Sequence, residues 1–262
     1  MKYLVIDPVI LDLGFVKIYW YGVMYLLAFL AAYFLAKYRA KRNQNWSIRQ
    51  VDDLIFYGAL GAVLGGRLGY LVFYNFSIFI SNPLTFFNFQ NGGMSFHGGF
   101  IGVLLAMLFF NRKSNHSFFQ TTDFIAPLVP LGLAFGRIGN YINGELWGKI
   151  TNSPWGLYAP DQSGQWAHRY PTQLYEAFLE GFVLFIILWI FSKKDRPVMA
   201  ISSLFLIFYG TFRFIIEFIR APDSHLGYMA LDWITMGQLL SFPMILVGLY
   251  MFYKSYFLKG RS

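Results

Sequence analysis

A short polar stretch interrupts a very apolar chain at Ala134–Gly148, which has the sequence AFGRIGNYINGELWG. It places an arginine, two asparagines and a glutamate among four glycines. The arginine side chain carries a planar fork of donors that matches phosphate in a way that a lysine ammonium does not, and glycines permit sharp turns and close backbone approach. The stretch therefore predicts either a site for an anionic group at Arg137 or a satisfied polar network that fixes the positions of helices.

Other ionisable residues lie inside apolar runs, where burial of charge in a bilayer is costly and makes each residue a candidate for function. Arg213 and Glu217 stand four residues apart in YGTFRFIIEFIR, so they share a helix face and can pair. The pair is either structural or part of a site. Because Arg137 and Arg213 are both predicted near the outer side of the membrane, together they suggest a cavity for an anionic lipid head group.

The remaining buried charges have plain structural alternatives. Arg220, at the outer end of the same segment, can extend its charge to the membrane surface. Arg67 in LGGRLGY can be a packing residue beside close backbones. Glu176 and Glu180 lie early in a further apolar run, where Glu180 can cap or pair structurally.

His97 is the histidine with the best case for chemistry. It lies in GGMSFHGGF, where glycines leave open space beside it, so a general-base role and a structural role are equally supported. Ser95 is two residues away and would not face His97 on a helix or a strand, which argues against a nucleophile–base pair. No histidine has metal-ligand spacing, so we predict no metal. The chain has no cysteine, so any reacting thiol belongs to a substrate.

Composition indicates that a membrane positions these residues. Hydrophobic residues make up 56% of the 262 residues and charged residues 13%, against ~25% charged in soluble domains. The sequence predicts an all-α polytopic membrane protein, a single transmembrane domain over residues 1–262. Runs long enough to cross a bilayer predict seven helices, of which the fourth is weakest because it contains Pro127 and Pro130. These spans are about 16–36, 54–74, 93–110, 124–138, 173–191, 199–220 and 236–256.

The distribution of basic residues predicts the orientation. Most of the 21 Lys and Arg residues follow the first, third and fifth predicted helices or lie in the C-terminal tail, whereas 75–92 and 221–235 contain none. Cytoplasmic loops are enriched in Lys and Arg, so the N-terminus is expected outside and the C-terminus in the cytoplasm. The net charge of +8 then reflects topology and calls for no nucleic acid. Residues 149–170, the largest polar stretch, are expected to form a small extracytoplasmic head.

Four motifs resemble those of the prolipoprotein diacylglyceryl transferase family. They are HGG at His97–Gly99, GRIGNYINGELWG at Gly136–Gly148, YPTQLYEA at Tyr170–Ala177 and FRFIIEFIR at Phe212–Arg220. The resemblance extends from about Tyr19 to Ser241, which is most of the chain.

The resemblance implies an enzyme of the bacterial cytoplasmic (inner) membrane that catalyses the first step of lipoprotein maturation. It implies transfer of the diacylglyceryl group of phosphatidylglycerol to the lipobox cysteine of a prolipoprotein signal peptide, with formation of a thioether and release of glycerol phosphate. The active site is expected toward the outer leaflet, without a cofactor. The implied catalytic residues are His97, Arg137 and Arg213, and the implied substrate-binding residues are Tyr21, Asn140, Asn143, Glu145, Tyr209, Glu217 and Arg220.

Alternatives stay open for the proton acceptor and for the function. Tyr209 or the substrate itself can take the place of His97 as the base. A transporter or scramblase for an anionic lipid or solute would also need buried arginines and broken helices, but it would not consume a thiol peptide. A purely structural membrane protein would not need so many charges within the membrane.

Overall fold

The computed structural model describes residues 1–14, 17–42, 45–88, 92–161, 163–222 and 227–258. Val16, where the first span is predicted to begin, lies outside the described residues. The chain is mostly helical and forms two compact units, one made of Met1–Ala32 with Thr122–Ser262 and the other of Tyr33–Thr121. The helices are α1 (Trp20–Arg42), α2 (Ile48–Tyr74), α3 (Phe76–Ser81), α4 (Phe96–Lys113), α5 (Phe118–Ile125), α6 (Val129–Ile142), α7 (Thr172–Glu176), α8 (Leu184–Phe191), α9 (Ala200–Ile216) and α10 (Met236–Tyr253).

Four of the described helices are long and apolar enough to cross a membrane. They are Trp20–Arg42, Ile48–Tyr74, Thr172–Phe191 and Met236–Leu258. The third joins α7 to α8 through a π-helical segment, Ala177–Val183, and the fourth extends α10 by a π-helical turn. Together α5 and α6 form a fifth candidate, bent by 52°. The chain is therefore a mostly helical membrane protein with four or five candidate spans.

The bend between α5 and α6 lies at the prolines that weakened the fourth predicted span. Pro127 lies in the break, and Pro130 occupies the first turn of α6, where a missing N–H is tolerated. The helix that carries Arg137 thus starts inside the apolar run at Val129. Because of this break, the axis of α6 does not continue the axis of α5.

In the unit Tyr33–Thr121, α2 and α4 pack through glycines that allow close approach of the two backbones. A side chain at Gly61 would place its Cβ 2.5 Å from the carbonyl oxygen of Gly102. Arg67 is buried on α2. Its guanidinium binds the segment that follows α2 rather than the glycines at which α2 and α4 approach each other. It donates hydrogen bonds to the main-chain carbonyls of Thr85, Phe86, Asn88, Gly92 and Gly93. Arg67 therefore fixes the segment after α2, and not the helix packing that the sequence suggested.

In the other unit, α9 packs along α10 and is anchored at its start by Asp123 of α5. The carboxylate of Asp123 accepts the backbone N–H groups of Met199 and Ser202, both at 2.7 Å. The first N–H groups of a helix have no partner within the helix, so Asp123 caps α9 from another element. Leu184, Leu188 and neighbours on α9 form the apolar core beside it.

Two short hairpins complete this unit. Strands β1 (Val9–Asp12) and β2 (Lys17–Tyr19) precede α1, and strands β3 (Leu157–Pro160) and β4 (Trp166–Arg169) lie within the predicted head. At the turn of the second hairpin, Asp161 accepts hydrogen bonds from Ser163 and Gln165 and pairs with Arg169 at 2.8 Å. These hydrogen bonds, that of the Ser163 hydroxyl foremost, lower the pKa of Asp161.

Candidate active site

The polar stretch begins within α6 and continues into a loop that turns sharply. Arg137 and Asn140 lie on the last two turns of α6, and Asn143 caps its C-terminus. Gly144 then adopts a φ of +68°, a conformation that glycine tolerates best. The glycine therefore redirects the chain immediately after the helix and brings Glu145 back toward Asn140.

Two amides hold the Glu145 carboxylate. The side-chain nitrogens of Asn140 and Asn143 donate to its Oε1 at 2.8 and 3.3 Å. The start of α7 holds the same loop from the other side, because Gln173 donates to the main-chain carbonyl of Glu145 and Thr172 to that of Leu146. The loop is thus a closed hydrogen-bonded unit rather than a free connection.

The N-terminus of the chain also holds this loop, through Tyr3. The Tyr3 hydroxyl donates to the carbonyls of Tyr141 and Ile142 at 2.9 and 3.0 Å, which satisfies the end of α6. Its ring packs edge-on against Tyr141 and Trp147, and its backbone N–H donates to Tyr158 in the head. Tyr3 is only 4% exposed. No local pattern in the sequence indicates this contact.

Glu176 is the centre of a buried cluster of charges. It is fully buried at the end of α7, and its two oxygens contact three arginines from two other helices and the turn after α9. The ion-pair distances are 2.6 Å to Arg137, 2.6 Å to Arg213 and 2.9 Å to Arg220. Arg213 and Arg220 donate charge-assisted hydrogen bonds to Oε1, and Arg137 forms an ion pair with Oε2, so Glu176 contacts all three arginines at once.

Two further carboxylates complete the cluster. Glu217 pairs with Arg213 and, at 3.5 Å, with Arg220. Glu180 is fully buried, its oxygens lie 3.8 Å from Arg137 and 4.0 Å from Arg213, and neither forms a hydrogen bond among the described residues. In formal charge, the three arginines are balanced by the three glutamates. Arg137 has the most exposed side chain of the three arginines, at 20%.

Of the two buried glutamates of this helix, Glu176 immediately precedes the π-helical segment Ala177–Val183, and Glu180 lies within it. Segments of this kind are rare and frequent at functional sites. Within it, Gly181 contacts α6 so closely that an added Cβ would lie 2.5 Å from that of Ala134. Arg137 is one turn further along α6, so this close contact brings its guanidinium within reach of Glu176 and Glu180.

Two tyrosines of the predicted site lie beside these residues. Tyr21 of α1 packs on α6, since a Cβ at Gly139 would lie 2.8 Å from its ring. Tyr21 and Asn143 also line an open groove together with residues of the first hairpin. Tyr209 lies one turn before Arg213 on α9 and stacks on Phe205 with ring centroids 5.6 Å apart.

His97 belongs to the other unit and is described there by itself. It lies in the first turn of α4, after Ser95, which caps this helix by accepting the N–H of Gly98 at 3.2 Å. His97 is exposed and meets the ring of Phe96 edge-on, and within the described part of the chain its imidazole forms no hydrogen bond. Its ring nitrogens are therefore open to an external partner.

The structure confirms the predicted Arg213–Glu217 pair. It joins Arg137, Arg213, Glu217 and Arg220 in one cluster, and it joins Asn140, Asn143 and Glu145 in the adjoining loop. Arg220 does not extend to the surface, because it is buried against Glu176. In the sequence, Glu176 and Glu180 stand among the costly charges, but no pattern assigned them to the site. The sequence signal that could have identified these two residues is their position, as charged residues, within apolar runs.

Known proteins resemble this chain over almost its whole length. Residues 8–254 match the family model described as prolipoprotein diacylglyceryl transferase. Bacterial proteins named phosphatidylglycerol–prolipoprotein diacylglyceryl transferase are similar to it. The protein of Coxiella burnetii (strain RSA 331 / Henzerling II) is 54% identical over 98% of both chains. That of Pseudomonas putida (strain W619) is 51% identical over 98% of this chain and 96% of its own. That of Photobacterium profundum is 57% identical over 93% of this chain and 91% of its own.

Proposed function

The chain belongs to the prolipoprotein diacylglyceryl transferase family, and we propose that its buried arginine–glutamate cluster binds the phosphate of phosphatidylglycerol during transfer. The protein is a transferase that moves the diacylglyceryl group of phosphatidylglycerol to prolipoproteins, the first step of lipoprotein maturation. The acceptor is the lipobox cysteine thiol in the signal peptide. An enzyme without cysteine is compatible with a thiol that comes from the substrate.

The observation that carries the phosphate assignment is the convergence of three arginines on Glu176. In the reaction, the thiolate sulfur attacks the glyceryl carbon that carries the phosphate ester, the carbon–oxygen bond breaks, and glycerol phosphate leaves with the electron pair. Fixed donors aimed at the developing charge lower the barrier, because they need no reorganisation. Arg137 and Arg213 supply these donors, and Glu176, Glu180 and Glu217 keep them oriented.

The loop after α6 has a different role in this proposal. Tyr21, Asn140, Asn143 and Glu145 bind the polar part of the lipid, since hydroxyl, amide and carboxylate groups suit the glycerol hydroxyls of the head group. Tyr209 and Arg220 line the same site beside Arg137 and Arg213. His97 takes the proton of the thiol, and Tyr209 or the substrate phosphate are the alternatives.

The proposal includes a topology of seven spans in one transmembrane domain of the bacterial inner membrane. The N-terminus is outside, the C-terminus is cytoplasmic, residues 149–170 form an extracytoplasmic head, and the site faces the outer leaflet. One structural observation supports part of this arrangement: Tyr3 contacts both the loop after α6 and the head at Tyr158, so these three segments belong on one side of the membrane. The basic loops provide the orientation.

Reconstitution tests the phosphate assignment. Purified protein in phosphatidylglycerol vesicles should form a thioether on a lipobox peptide, and a peptide with serine in place of cysteine should remain unmodified. Arg137→Lys and Arg213→Lys keep the charge but lose the fork, so each should lower the rate ~10- to 100-fold. Arg112→Lys, at an exposed position in the last turn of α4, is the matched control and should retain normal activity.

Two outcomes would contradict this assignment. Near-normal rates for both site variants would remove the phosphate role of the arginines. Movement of lipid between leaflets without any modified peptide would favour a scramblase instead.

Single cysteines test the topology, because the chain has none of its own. Ser81→Cys and Gln165→Cys, at exposed positions, should react with an impermeant maleimide added outside intact cells. Asn115→Cys and Asp195→Cys, also exposed, should react only after the membrane is opened. Labelling of Gln165→Cys only after opening would place the head in the cytoplasm and overturn the orientation.

A further inference from the structure

We propose that Thr235 is a positioning residue for transfer, because its hydroxyl holds the Glu217 carboxylate in the orientation that keeps Arg213 and Arg220 in place. The inference rests on the proposed role of the arginines in binding phosphate. Thr235 precedes α10, lies 18 residues after Glu217 and falls outside the motifs that indicated the family.

The contact between the two side chains is buried. The Thr235 hydroxyl donates to Oε2 of Glu217 at 2.6 Å, and both residues are 3% exposed. The other oxygen of Glu217, Oε1, faces Arg213 and Arg220. Each carboxylate oxygen therefore has its own partner, so loss of the hydroxyl leaves one oxygen unpaired and lets the carboxylate rotate away from the arginines.

The Thr235 hydroxyl is itself oriented by the start of α10. Its oxygen accepts the N–H of Gln238 at 3.2 Å, while the Gln238 side chain accepts the N–H of Thr235 at 3.0 Å, which is a capping box. A hydroxyl has one proton, and here that proton goes to Glu217. The same side chain thus connects the end of α9 to the start of α10.

The backbone after Thr235 is shaped for this carboxylate. A Cβ at Gly237 would lie 2.5 Å from both Cδ and Oε1 of Glu217, so a glycine at this position leaves room for the carboxylate against the first turn. A helix N-terminus also favours negative charge. A cavity of about 20 Å³ at this junction is lined by both arginines and by Glu217, Thr235 and Gly237. A space of this size has room for about one water molecule, so the side chains around it are closely confined.

The experiment compares variants of Thr235 in the reconstituted transfer reaction with the whole protein. Thr235→Val keeps the shape but removes the hydroxyl, and we expect kcat/KM for phosphatidylglycerol to fall ~10- to 100-fold while KM for the lipobox peptide stays unchanged. Thr235→Ser restores the hydroxyl and should recover most of the activity. Gly237→Ala should lower the same constant selectively.

Ser47→Ala is the matched control for the loss of a helix cap. Ser47 forms a capping box of the same kind at the start of α2 in the other unit, so its loss affects helix stability without contact with Glu217. Activity per folded molecule should be normal in this variant and low in Thr235→Val.

Three results would overturn the inference. The first is a Thr235→Val enzyme whose kcat/KM stays within about twofold of wild type, which is a smaller change than the loss of a hydrogen bond should cause. The second is a Thr235→Ser variant that does not recover activity. The third is an equal loss of activity in Thr235→Val and Ser47→Ala. Failure of the proposed phosphate role is distinguishable, because in that case Arg137→Lys and Arg213→Lys would keep near-normal rates.

Discussion

Replacement of Glu176 by glutamine should abolish most transfer activity and markedly lower thermal stability. Glutamine preserves the size of the side chain but removes the charge that Arg137, Arg213 and Arg220 share. The cluster would then contain three arginines and two glutamates in formal count, in a fully buried place. Removal of one partner of a buried ion pair costs ~3–5 kcal/mol of folding free energy. Loss of the two oriented arginine donors, at ~1.5–3 kcal/mol each, corresponds to a rate loss of ~100-fold or more.

The measurement pairs thermal unfolding in detergent with transfer in phosphatidylglycerol vesicles. Asp52→Asn is the matched control, because it removes a carboxylate from an ion pair with Lys37 at 3.3 Å whose side chains are 47% and 30% exposed. Such pairs contribute about 0–1 kcal/mol, so the control should behave nearly like wild type. Glu176→Asp, which keeps the charge on a shorter side chain, should give an intermediate loss. A Glu176→Gln protein with normal stability and transfer would show that the arginines do not depend on this carboxylate.

Replacement of His97 by glutamine should slow the thiol-transfer step ~10²- to 10⁴-fold, the range typical of general-base removal. Lipid binding and stability should change little, because His97 is exposed and, among the described residues, makes no hydrogen bond that the substitution would break. The defect should shrink as pH rises toward the thiol pKa of ~8.5, since the substrate then supplies thiolate without help. The direction of this effect, a smaller defect at higher pH, follows from the ionisation of the substrate thiol alone.

The assay is a pH–rate profile of variant and wild type, with phosphatidylglycerol affinity measured in parallel. His168→Gln, at an exposed position of β4, is the control and should follow the wild-type profile. If the ratio of variant to wild-type activity is flat from about pH 6 to about pH 9, a range that includes the usual pKa of histidine and of cysteine, His97 is not the base. Tyr209 and substrate-assisted deprotonation would then be tested next.

A balanced cluster of charges suits the phosphate site that we propose within this membrane protein. Three unpaired buried arginines would carry a large desolvation cost, which Glu176, Glu180 and Glu217 offset. The glutamates also limit the motion of the guanidinium groups, so the donors are oriented before the lipid arrives. Arg137, the most exposed of the three, is the one we expect to meet the phosphate first.

Much of the helical framework could be predicted from the sequence, since it follows from local rules. Each of the seven predicted runs coincides with a helix, although only four or five of the described helices are candidate spans, and Pro127 indicated the weak fourth span that proves to be bent between α5 and α6. The spacing of Arg213 and Glu217 predicted their ion pair, because residues four apart share one face of a helix. The motif residues of the loop after α6 were identified by their departure from the apolar pattern around them.

The partners of these residues were decided by the tertiary structure alone. Glu176 meets arginines 37 and 44 positions away, the Tyr3 hydroxyl meets carbonyls 138 and 139 positions away, and Thr235 meets Glu217 across the turn between two helices. Helical periodicity specifies which side chains share a face, but it does not specify which face of which helix lies opposite. That choice depends on close packing, such as the contact of Gly181 with Ala134, and on the requirement that buried charges find partners.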